Sequence, residues 1–114
     1  MTDTTLDKFG QFLVEHLRDK GIYFGDELLK SQWKAPALQK IQKELGALSD
    51  YQRTIIHQTI VLTIDNAIHD FLFALQDTDD IQICVDGKNI VELSDGIHGE
   101  SYSEDGWNAR YSKY

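Results

Sequence analysis

The segment Ser94-Asp95-Gly96-Ile97-His98-Gly99-Glu100 is the most unusual stretch of the chain. An imidazole stands between two carboxylates, and two glycines let the backbone turn sharply. His98 with Asp95 or Glu100 has the makings of a general acid–base pair. Held on a rigid sheet, such a loop can bind a ligand or a cation. Its spacing matches no EF-hand, and calcium needs six to eight oxygens. The plainer reading is a long connection whose glycines take positive φ and whose polar side chains cap turns.

Other histidines extend the options. Asp65 and His69 are four residues apart, hence neighbours on a helix face. A carboxylate there can orient the imidazole or complete a metal site. Asp65, His69 and His98 therefore form the candidate metal set, against the plainer alternative of a surface pair of small energetic value. The zinc helix pattern of two histidines around a Glu is absent. His16 and His57 fall within apolar helix faces, and a buried pair there would still need further ligands to hold a metal. Nucleophilic catalysis has little to start from. Cys84 has no identifiable activating partner, and Ser94, Ser101 and Ser103 lack a nucleophile-elbow sequence. Asp86-Gly87-Lys88 reads as a turn, not as a phosphate cradle. No cofactor is implied.

The scaffold must come from 114 residues, the size of one domain, with 41% hydrophobic residues to build a core. A lone cysteine excludes an internal disulfide and permits a reducing compartment. Acids outnumber bases 19 to 11, a net charge of −8, which repels phosphate backbones and argues against nucleic-acid binding. The polar, acidic first residues predict no signal peptide. The longest apolar run, Phe71 to Leu75, is far below the ~20 residues of a membrane span. A soluble cytoplasmic protein is the expectation.

Helical patterns fill residues 1–76. Leu6, Phe9, Phe12, Leu13, His16 and Leu17 share one face of a helix expected from about Asp3 to Lys20. Thr4 and Asp7 stand in capping-box spacing, and Gly21 fits a C-terminal cap. Asp26 can cap a short helix carrying Leu28, Leu29 and Trp33. Pro36 fits the first turn of a third helix that stops at Gly46. Ser49 and Gln52 form a capping box for a fourth helix reaching Gln76, roughly 40 Å long. On that helix Ile56, Ile60, Val61, Ile64, Ala67, Ile68, Phe71, Leu72, Ala74 and Leu75 fill an arc of roughly 160°. Ile55, Leu62 and Phe73 form a second, narrow stripe. Two apolar faces predict a central rod covered on two sides. If the narrow stripe stays bare, a homodimer is a further possibility.

The period changes at Ile81. Ile81, Ile83 and Val85 alternate with polar residues, Asp86-Gly87 signals a hairpin, and Ile90, Val91 and Leu93 suit the return strand. Trp107, Ala109 and Tyr111 alternate as a third strand. The expected fold is one α+β domain over 1–114. Its helical part is 1–76. A three-stranded antiparallel sheet in 80–114 packs on the long helix.

Charge is unevenly spread. Residues 77–114 hold nine acids and three bases, a net −6; residues 1–76 hold ten acids and eight bases, a net −2. The acidic third also carries aromatic rings. Asp95, Glu100, Tyr102, Glu104, Asp105 and Trp107 are the candidate partner-binding residues: carboxylates speed encounter with a basic protein, and rings supply anchors. The run Val91-Glu92-Leu93-Ser94-Asp95-Gly96-Ile97-His98-Gly99-Glu100, with Glu104-Asp105-Gly106-Trp107 and Arg110-Tyr111-Ser112-Lys113-Tyr114, resembles a stretch shared by small uncharacterised bacterial proteins. That resemblance implies a bacterial single-domain protein and no particular reaction. Size and acidity are similar to those of immunity proteins, which neutralise toxin domains by binding them. The expected function is protein binding, of the immunity type or otherwise. A small enzyme or metal-binding domain built on the 95–100 loop is the alternative.

Overall fold

A computed structural model describes residues 4–114. It contains α1 (Thr4–Leu13), a π turn (Val14–Arg18), α2 (Asp19–Leu29), α3 (Gln39–Gly46), α4 (Asp50–Gln76), β1 (Cys84–Val85), β2 (Lys88–Asn89) and α5 (Trp107–Tyr111), with three short 3₁₀ turns between them. The molecule is elongated, 48 × 29 × 21 Å.

α1, the π turn and α2 form one continuous rod. Gly10, Val14, Arg18 and Ile22 all face inward at steps of four residues. In an uninterrupted α-helix Ile22 would sit about 120° around the axis from Gly10. The i→i+5 bond from Asp19 N–H to Val14 O inserts one extra residue into a turn and restores the inward face. The same insertion turns Leu17 outward, 51% exposed, while Phe12, about 160° around α1 from Gly10, is 64% exposed with His16 exposed beside it. Thus only part of the expected apolar face is core. The expected start at Asp3 lies outside the described residues. Thr4 is already helical, and Asp7 accepts from Arg110 of α5 at 2.9 and 3.2 Å. Gly21 caps nothing. A Cβ on Gly21 would lie 2.8 Å from Ile64, and one on Gly25 would lie 2.8 Å from Ile60, so both glycines admit α4 against α2. Asp26 lies inside α2 and does not start a helix there.

Pro36 opens the 3₁₀ turn that leads into α3. The link before it is held by Gln42, buried in α3, which accepts from Trp33 N–H and donates to Trp33 O, both at 2.9 Å. Trp33 itself lies beyond the end of α2. Both bonds of the Ser49–Gln52 capping box are present, and α4 runs unbroken for 27 residues.

The sheet differs from expectation. It has two strands, paired Cys84↔Asn89 and Val85↔Lys88. Asp86 and Gly87 turn the chain at φ 53° and 78°, a type I′ geometry. The return strand stops because the Asn89 side chain accepts from Val91 N–H at 3.0 Å, which starts the 3₁₀ turn Ile90–Leu93. The expected third strand is helix α5. Its first amides donate to loop carbonyls, Trp107 N–H to Glu100 O at 2.9 Å and Asn108 N–H to Ser101 O at 3.3 Å. Trp107 and Tyr111, read as i and i+4 of a strand, are equally i and i+4 of a helix.

The core joins α1 and the π turn, the C-terminal half of α4 and the last third of the chain. It includes Leu6, Val14, Leu72, Ile90, Ile97 and Trp107. Trp107 seats edge-on against Phe9, 5.9 Å between centroids at 75°. Its indole lies directly over Gly10, where a Cβ would sit 2.3 Å from ring atoms. α4 is therefore covered along one side, not two. Ile55, Leu62 and Phe73 stay 42–70% exposed, and Phe71 of the broad arc is 51% exposed. Among the described residues no helix is long and apolar enough to cross a membrane.

Gly10→Ala drives a methyl into the Trp107 ring and is expected to cost about 1–3 kcal/mol or more. Urea denaturation with tryptophan fluorescence measures it; an unchanged midpoint would contradict this packing.

Candidate functional site

Ile97 is fully buried and pins the 94–100 loop on the core. Gln76, the last residue of α4, fixes its direction: Gln76 Oε1 accepts from Ile97 N–H at 3.0 Å and lies 3.3 Å from His98 Nδ1. Ser94 donates to Glu100 Oε1 at 3.1 Å and accepts from Gly96 N–H at 3.2 Å. His98 thus hydrogen-bonds Gln76 rather than Asp95 or Glu100, and Glu100 is occupied within its own loop. The imidazole of His98 instead meets two rings edge-on, His69 at 5.3 Å and Phe73 at 5.2 Å. Tyr102 adds a fourth ring, 5.7 Å from His69, and its hydroxyl donates to Asp65 O.

These four rings form a patch on the outer side of α4. Phe73 is 51% and Tyr102 50% exposed. Asp70 flanks it, with Oδ1 3.2 Å from His69 Nδ1, and Asp95, Glu104 and Asp105 are exposed on the chain segment that carries His98 and Tyr102. Trp107 is a correction. Its ring is fully buried and anchors the core, so it offers nothing to a partner. Phe73 and His69 join the ring cluster without having been among the candidate partner-binding residues. Their signal was the narrow stripe, whose members sit on the side of α4 that the loop reaches.

The candidate metal set divides. His69 and His98 come together, while Asp65 is drawn inward to Arg18, which donates through Nε at 2.6 Å and Nη2 at 3.2 Å. Among the described residues no group of three or more His, Cys, Asp or Glu side chains is placed to hold a metal ion. His16 and His57 do not pair either. His16 stacks on Phe12 at 4.7 Å and borders a cleft of about 520 Å³ together with Asp19, Tyr23, Lys113 and Tyr114. His57 Nδ1 lies 2.6 Å from Asp26 Oδ1.

Arg18 is the centre of a cluster with no signal in the sequence pattern. Besides Asp65 it donates to Ser112 Oγ at 2.9 Å. Ser112 donates to Asp19 Oδ1 at 2.7 Å, and Lys113 N–H donates to Asp19 Oδ2 at 2.8 Å. Arg18 and Asp19 are only 7% and 6% exposed. The arrangement ties the π turn to α4 and to the end of the chain, and Asp19 and Lys113 at its edge border the cleft beside His16. It also touches the ring patch electrostatically. Partial burial of the Tyr102 hydroxyl raises its pKa, the Asp65 and Asp70 carboxylates raise it further, and Arg18 opposes them.

Compared with protein-family models, with curated proteins and with solved structures, the chain finds no match in any of the three. Functional inference therefore rests on the residues themselves.

Removing Arg18 strands two buried carboxylates. Arg18→Met is expected to lose about 3–5 kcal/mol, and Arg18→Lys to recover only part, since an ammonium cannot fork onto Asp65. Denaturant titration checks this; a loss under about 1 kcal/mol would place the cluster among weak surface pairs. Tyr102 gives a pH test. Its folded phenol keeps its proton above the ordinary value of 10.0. Its contribution is therefore intact below pH 10 and lost as pH rises through the folded value. Tyr102→Phe should cost about 1 kcal/mol at neutral pH and flatten the fall in stability above pH 10.

Proposed function

We propose that this chain is a protein-binding domain that recognises a basic surface through the ring patch and acidic loop at the C-terminal end of α4. The observation that carries this reading is the half-exposed cluster of His69, Phe73, His98 and Tyr102 beside the Asp70 carboxylate. Rings held in place by one another lose little freedom when a partner covers them, and aromatic side chains dominate binding energy in such settings. Asp95, Glu104 and Asp105 supply the long-range attraction, since residues 77–114 carry a net −6. Immunity-type inhibition is one form of this activity: the acidic face would occlude a basic toxin domain by pairing with its Lys and Arg groups. The reading of the loop as an enzyme or metal centre has less support, because His98, Glu100 and Asp65 are each bonded elsewhere.

The test is capture of partners from the source cell. Asp95→Lys, Glu104→Lys and Asp105→Lys combined should abolish capture without loss of stability, because all three side chains are exposed. Tyr102→Ala should weaken capture at all salt concentrations, while the charge variant's effect should fade as salt rises. Equal capture by the wild type and both variants would refute the acidic patch as the binding face.

A further inference from the structure

The side of α4 away from the acidic loop carries a second uncovered surface. Ile56, Ile60, Ala67, Phe71 and Ala74 lie within about 60° of one another around the axis and run for about 27 Å, five helical turns. None is charged. Phe71 is 51% exposed, Ala67 and Ala74 are exposed, and Ile56 and Ile60 are half-buried. At one end of this face is an apolar groove of about 280 Å³ lined by Ile56, Thr59, Ile60, Thr63 and Ile64. At the other end Phe71 stands out as a knob. Knob and groove are twelve residues apart, about 18 Å along the helix.

We infer that this face is a self-complementary dimer interface. The α4 helices of two copies lie antiparallel, and Phe71 of each copy enters the groove of the other. A two-fold axis at residue 65 sets position 71 opposite position 59, in the middle of the groove, for both copies at once. It also sets position 56 opposite 74, position 63 opposite 67 and position 60 opposite 70, so Ile meets Ala at the ends, Thr meets Ala near the centre, and Asp70, bonded to Asn66 and His69, borders Ile60. Small residues at the centre let the helices approach. Such an isologous pairing closes on itself, as a two-fold dimer must.

Area and charge support a second copy as the occupant. The chain exposes 7711 Å², whereas a folded monomer of 13.1 kDa exposes about 6,400 Å². The excess of about 1,300 Å² belongs to the whole elongated chain and leaves room for the roughly 800 Å² that each partner buries in a stable interface. The radius of gyration is 16.8 Å, against about 13 Å for a compact chain of this length. Charge sets the direction. Residues 30–53, before and at the start of α4, hold five bases and two acids, a net +3. Residues 77–114, after its end, carry −6. An antiparallel pair brings each acidic third toward the basic end of the other copy; a parallel pair would place −6 beside −6. The narrow stripe is the poorer interface. Asn66 and His69 interrupt it, and the Phe73 ring already meets His98. Phe71 and Phe73 are about 160° apart around the helix, so the dimer leaves the acidic patch open.

Light scattering from micromolar to near-millimolar concentration tests the pairing. The expected mass approaches twice 13.1 kDa at the upper end, and Phe71→Glu returns it to one chain mass while circular dichroism stays unchanged. Leu62→Glu on the narrow stripe leaves the dimer intact. In a Cys84→Ser background, Ile56→Cys with Ala74→Cys cross-links on oxidation, whereas each single cysteine does not. A monomer at every concentration overturns the proposal. So does a dimer dissolved by Leu62→Glu but not by Phe71→Glu, or one cross-linked by the single cysteines. Partner capture by the acidic-loop variants is a separate readout, so either proposal can fail alone.

Discussion

The forked bond from Arg18 to Asp65 holds the fold in its observed arrangement. Three segments distant in sequence meet there: the π turn, the middle of α4 and, through Ser112, the end of the chain. A guanidinium this buried is stabilising only if its donors are satisfied. Asp65, Ser112 and the neighbouring Asp19 satisfy them together. The π turn exists in the same context. Without its extra residue, Arg18 would rotate away from α4, and the inward line from Gly10 to Ile22 would spiral off the core. Local helix geometry and a buried ion pair thus require each other, in keeping with the frequent placement of π turns where a helix must present a particular side chain.

That arrangement explains why α4 is bare along so much of its length. A 27-residue helix is about 40 Å long. The last third of the chain packs only on its C-terminal half, and α2 covers part of the N-terminal half through Gly21 and Gly25. Among the described residues Leu62 on the outer face and Phe71 on the adjoining side stay exposed.

Much of this was legible in the sequence where one local rule acted alone. The Ser49–Gln52 box, the unbroken α4, the turn at Asp86-Gly87 and the Pro36 start each depend on a few adjacent residues. The errors arose where a distant contact decided. Gly21 looks like a cap until Ile64 is known to press on it. Trp107 looks like an exposed ring on a strand until Gly10 provides its seat. Leu17 looks like part of the first helix's apolar face because the π turn, which shifts the inward face from Val14 onward, leaves no mark on composition. The ring patch was half legible. His98, Tyr102 and the carboxylates of the loop stood out by type, but the side of α4 they would meet depended on Gln76 fixing the loop.

Two uncovered surfaces of different character remain, and their separation has a physical basis. The patch beside the loop is polar-rimmed and sits where negative charge is densest, so it attracts a cationic protein and repels a second copy of its own acidic end. The Phe71 face carries one charge at its edge, Asp70, which is bonded to Asn66 and His69, and it lies between a basic and an acidic end, so it suits a self-complementary partner. Had the acids been spread evenly, every approach of one copy to another would meet the same repulsion. Concentrating −6 in the last third leaves the middle of α4 electrostatically quiet. A mainly apolar helix face can then remain available for association while the net charge of −8 opposes nonspecific aggregation.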